Sequence, residues 1–93
     1  MYKVFKATRI SESNMLFPPT IILNDEGVTV KLPAITHYNT EFIPYNAVSS
    51  VHIHTPLVGF STITFYAYGR AVEVHGFYKS EVQSMKRIVE QAC

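Results

Sequence analysis

FIPYNAVSSVHIHTPLVGFSTITFYAYGRAVEVHGFYKSEVQSMKRIVEQAC, residues 42–93, is the stretch whose reading decides the fold. It holds three runs with the two-residue alternation of a half-buried strand, then one segment of helical period. In Ser49–His54, Val51 and Ile53 face one way and Ser50, His52 and His54 the other. In Ser61–Ala67, Ile63, Phe65 and Ala67 oppose Thr62, Thr64 and Tyr66. In Ala71–His75, Val72 and Val74 oppose Glu73 and His75. Thr55–Gly59 is the loop after the first run, and Tyr68-Gly69-Arg70 turns the chain into the third. From Ser80 onward Val82, Met85, Val89 and Ala92, with Ile88 beside them, form an apolar stripe, while Glu81, Lys86, Arg87 and Glu90 take the wet face. Ser80 with Gln83 has the form of a capping box, the helix starting there or a residue or two earlier, and Phe77 is placed to pack on the first helical turn.

Working back toward the N-terminus, Pro44–Val48 reads as a tight turn or single helical turn. Ile35–Ile43 is an aromatic, polar strand that Pro44 stops. The clearest hairpin is Thr20–Leu23, a turn at Asn24-Asp25-Glu26-Gly27, and Val28–Leu32, with Gly27 expected to supply a positive φ. Val28, Val30 and Leu32 share a face, opposite Thr29 and Lys31. Residues 2–10 read as a first strand with Tyr2, Val4 and Ala7 on one side or as a frayed terminus, in preference to a short basic amphipathic piece marked by Lys3, Lys6 and Arg9, and 11–14 is a polar turn. Seven strand-like runs with no helix between them exclude a parallel βαβ fold and predict an antiparallel meander. The reading is therefore mainly β with one C-terminal α-helix, about seven antiparallel strands in a barrel capped by that helix. A single domain spans 1–93: arm and loop at 1–18, strands at 20–76, helix at 79–92.

Composition narrows the classes. The hydrophobic fraction of 47% and twelve Phe and Tyr (six of each) supply a core and exclude disorder. So many aromatics on a small body predict exposed apolar area, which commonly marks an interface. Eight Lys/Arg against seven Asp/Glu leave +1, so there is no basic field to hold nucleic acid. One cysteine, Cys93, allows no internal disulfide. No signal peptide or membrane-spanning run is seen, and the expected location is cytoplasmic.

The run FIPYNAVSSVHI, the GF-S-T-I-T-F strand, the AVEV strand, the glycine-aromatic pair at Gly76-Phe77 and the terminal helix together resemble the small bacterial pleckstrin-homology-like domains, over about half the chain. The resemblance implies two near-orthogonal antiparallel sheets with a helix across one open end. It also implies a scaffold for binding, self-association and membrane-proximal assembly without a shared catalytic site. Members that hold phosphoinositides concentrate basic residues around the first hairpin. Here residues 20–32 offer only Lys31 beside Asp25 and Glu26, so no specific phosphoinositide site is expected.

Among residues that carry chemistry, His52, His54, Glu73 and His75 share an outward sheet face and are zinc-ligand types. They are separated by a whole strand, about 9–10 Å, so they read as an aromatic, titratable association face, sensitive near the ordinary histidine pKa of about 6.5. No metal or cofactor is expected. No nucleophile motif, phosphate loop or dinucleotide fingerprint is present, and the chain is read as non-enzymatic. The expected interaction surface is that face (His52, His54, Tyr66, His75) with Leu57, Val58 and Phe60 of the following loop. The partner is a second copy or another protein, with no nucleic acid. The alternative is a small apolar ligand or the membrane surface, held by the same loop with Lys3, Lys6 and Arg9 nearby; a third and weaker reading is a metal bound on the face of His52, His54, Glu73 and His75.

Overall fold

Alternation predicts the strand order correctly. In the computed structural model, which describes residues 1–8, 18–33 and 38–92, β1 spans Lys3–Lys6, β2 Thr20–Leu23, β3 Gly27–Pro33 and β4 Tyr38–Pro44. One 3₁₀ turn at Tyr45–Ala47 leads to β5 (Val48–His54), β6 (Ser61–Ala67), β7 (Arg70–Phe77) and the helix α1 (Lys79–Ala92). The expected turn at 11–14, the strand start at 35–37, Arg9 and Cys93 lie outside the described residues.

The strands make two antiparallel sheets, ordered β1-β2-β3-β4 and β5-β6-β7. The sheets are not closed into a barrel by a continuous ladder; each keeps its own edges among the described residues. Ile21, Leu23, Val28, Val30 and Ile43 line the inner face of the first sheet, and Val51, Ile63, Phe65, Val72 and Val74 that of the second. The helix packs Val82, Met85 and Val89 onto β5 and β6. Ala92 of the expected stripe is exposed, beside a groove it lines with Asn24, Asp25 and Tyr45. Phe77 ends β7 and is fully buried.

Several local expectations are corrected. Ala7 does not share a side with Tyr2 and Val4: it is buried and donates its N–H to the Pro19 carbonyl at 2.9 Å, while Val4 faces solvent and Phe5 packs against the core. The helix begins at Lys79, as the 79–92 reading has it, and its cap lies two residues before Ser80. Glu81 Oε1 accepts the Tyr78 N–H at 2.9 Å, and the Tyr78 carbonyl accepts from Glu81 and Val82, so the reciprocal cap is built on Tyr78 and Glu81. Gly27 is needed for space and has no positive φ. The reversal is made by Asn24, whose Oδ1 accepts the N–H groups of Glu26 and Gly27 at 2.8 and 2.9 Å.

Two ties outside the ladders set how the sheets lie. At the start of β7, Arg70 pairs with Glu41 on β4; near its end, the Gly76 carbonyl accepts from Thr8 N–H, just past β1, at 2.9 Å. Strands β4 and β1 are opposite edges of the first sheet. Strand β7 therefore crosses over the strands of that sheet, and does not run along them.

Candidate interaction surfaces

The outer face of the second sheet is built as a grid. Register pairs His52 with Thr64 and Thr64 with Glu73, and one row further His54 with Thr62 and Thr62 with His75. Each histidine is thus a full strand from its counterpart on β7, about 9.5 Å across. Zinc needs ligand atoms each within about 2.1 Å of one point. Among the described residues no three His, Cys, Asp or Glu side chains gather closely enough to hold a metal ion. The geometry keeps these side chains apart by placing β6 between them.

What fills the grid is local pairing. His75 Nδ1 lies 2.8 Å from Thr62 Oγ1. The His52 ring meets Tyr66 edge-on, with centroids 5.1 Å apart. Thr64 was expected to be wet and is buried, because its cross-strand neighbours His52 and Glu73 stand on both sides of a central strand. Tyr66, His52, His54 and His75 are all exposed, so this part of the expected surface is accessible.

The loop between β5 and β6 carries the larger apolar exposure. Leu57 is wholly exposed and Val58 is 87% exposed. Phe60 departs from the expectation: it is half-buried, its ring 5.6 Å from that of Tyr78 in an edge-on contact. The buried Ser61 hydroxyl donates to Thr55 Oγ1 at 3.1 Å. The base of the loop is thus fastened on both sides, and Leu57-Val58 is its tip. Burying either side chain would gain roughly 1.5–3 kcal/mol.

Tyr78 is a site residue that the pattern did not reveal, although an aromatic directly before a helix is a place to look for one. A second omission is larger. Val4, Ile22, Thr29 and Phe42 stand in one row across the outer face of the first sheet, by register, and Tyr2 lies just before β1, two residues from Val4. Tyr2, Val4 and Phe42 are 69%, 52% and 47% exposed. The next row holds Lys6, Thr20, Lys31 and Thr40. Lys6 thus joins Lys31 on the first hairpin's sheet, with one strand between them.

Two grooves flank α1. One, about 590 Å³, is lined by Ile53, Gln83, Lys86, Arg87, Glu90 and Gln91; the other, about 330 Å³, by Val48–Val51 with Val89 and Glu90. Both lie open to solvent, and charged helix residues line much of the first. Among the described residues no helix is long and apolar enough to cross a membrane. These features define a mainly β protein of two antiparallel sheets and a C-terminal helix, whose outstanding surface property is exposed apolar area at two places. Comparison with known protein families, with characterised proteins and with solved structures finds no match for this chain.

Proposed function

We propose that the chain is a non-enzymatic association module of the pleckstrin-homology-like kind, with a second copy as the first partner to test. A four-stranded and a three-stranded sheet in sequence order, β7 crossing the first sheet, and a closing helix support the family reading. The observation that carries the association reading is the Leu57-Val58 tip: two fully presented aliphatic side chains on a loop fastened at its base. A monomer with no partner gains nothing from holding them in water. The neighbouring grid of His52, His54, Tyr66 and His75 forms the polar, titratable rim.

Light scattering across protein concentrations, at pH 7.5 and pH 5.5, tests this. The expected mass is a multiple of 10.5 kDa that falls in the Leu57→Asp/Val58→Asp variant. A change between the two pH values would place histidines in the contact. A wild-type chain that stays at 10.5 kDa throughout would overturn self-association.

A further inference from the structure

The Leu57-Val58 tip is a projection, and the same chain carries a recess of matching character at the other end of the same strand. The groove of about 330 Å³ between β5 and α1 has Val48, Val51 and Val89 along its floor, with Ser50 and Glu90 at its rim. That volume is at the small end of ligand pockets, and suits two aliphatic side chains better than a drug-sized molecule.

Strand and helix run in opposite directions. The Phe60 ring meets Tyr78, just before α1, whereas Val48–Val51 meet Val89 and Glu90 in its last turns. One end of the molecule therefore holds the tip and the start of the helix, and the other holds the groove and the end of the helix. From Val48 to His54, β5 covers about 20 Å. The loop is fastened between Thr55 and Ser61 and again at Phe60, so the tip cannot fold back along the strand into the groove of its own chain.

Charge runs the same way. Lys79 opens the helix at the tip end and makes no ion pair among the described residues. Glu81, in the same turn, is held by the Tyr78 N–H. At the groove end Glu90 is exposed, and its ion-pair partner Lys86 stands 3.8 Å away. The helix itself adds a positive end beside the tip and a negative end beside the groove.

We infer that the Leu57-Val58 tip of one copy seats in the β5–α1 groove of the next, with Lys79 beside Glu90, so that copies join head to tail. This contact rests on the association reading and supplies a receptor for the tip and a direction for growth. Its two halves are different surfaces, so every contact leaves a free groove at one end and a free tip at the other. Assembly then continues past two copies, as a growing series or as a ring, where a two-fold contact would stop at a dimer.

Sedimentation velocity over a range of protein concentrations reads the difference. Wild type is expected to pass beyond twice 10.5 kDa as concentration rises. Leu57→Asp/Val58→Asp removes the tip, and Ser50→Arg fills the groove from an exposed position. Each variant alone assembles at least about tenfold more weakly than wild type, the loss expected when one buried aliphatic contact is removed. Glu90→Lys, a second groove variant on the helix surface, sets like charge against Lys79 and weakens assembly in the same direction. Mixed in equal amounts, the tip variant and Ser50→Arg form a heterodimer that grows no further: one intact tip meets one intact groove, and both remaining ends are blocked. Circular dichroism confirms that each variant folds. A wild type that stops at two copies would overturn the head-to-tail contact and leave self-association standing. Unaltered assembly in both groove variants would remove the groove as receptor, and a mixture that stays monomeric would break the pairing of tip with groove. A wild type that is monomeric at every concentration would take away this contact together with the association reading beneath it.

Discussion

The two tight hairpins of this protein both contain glycine, and for unrelated reasons. In the β2–β3 turn the reversal belongs to Asn24, whose side chain holds two backbone N–H groups, and Tyr45 seals the site by donating its hydroxyl to the Asn24 carbonyl at 2.6 Å. Gly27 is there because β4 passes too close for anything larger: a Cβ would stand 2.3 Å from the Ile43 carbonyl oxygen and 2.8 Å from Pro44 Cα. In the β6–β7 turn the surroundings are open, and nothing lies within 4 Å of a Cβ at Gly69. There the demand is conformational, since Tyr68 and Gly69 sit at φ 55° and 75°. Both central residues are left-handed, as a two-residue turn between right-twisted strands requires. One glycine answers a crowding problem and the other a torsional one, and the letter G is the same.

Urea denaturation at constant m separates the two reasons. Gly27→Ala should cost about 3 kcal/mol, at the upper end of overpacking, because the obstacle is backbone with no flexible end to move. Gly69→Ala should cost about 1 kcal/mol, the left-handed penalty alone. Equal losses at the two positions would break the distinction. Tyr68 sharpens it further: it is a bulky residue in a left-handed conformation and 67% exposed. Tyr68→Asn should raise stability by about 0.5 kcal/mol, since asparagine tolerates that conformation better. A loss instead would mean that the ring makes a contact worth more than the strain.

Strand identity was legible because burial on one face imposes period two, which β3, β5, β6 and β7 show, while β2 is a short apolar run. The failures share a cause: period two says which residues share a face and not which face is wet. Tyr2 and Val4 look like core and are outside, because Phe5 and Ala7 take the inner positions. Phe42 looks like core for the same reason, and its true role over Gly27 depends on a neighbour fifteen residues away. Thr64 fails in the opposite sense, since a small side chain at the centre of a sheet is covered by its neighbours whatever its polarity. Of the candidate surface, the Leu57-Val58 tip was legible as three apolar residues in a loop, but the half-burial of Phe60 needed Tyr78, which arrives only with the fold. The histidines were placed on the right face; their separation followed from counting strands. The overall reading as an association module goes beyond what strand periodicity can carry.

The ties at the two ends of β7 also have a meaning in time. Thr8 waits for Gly76, and Glu41 for Arg70, so contacts made by the earliest part of the chain are completed only near its last strand. Contacts this distant in sequence slow folding, because the intervening loop must close before they form. Until the second sheet exists, Ile21, Leu23, Val28, Val30 and Ile43 lack the layer that Val51, Ile63, Phe65, Val72 and Val74 supply. On an emerging polypeptide the first hairpins are therefore an apolar sheet without a cover until the later strands arrive.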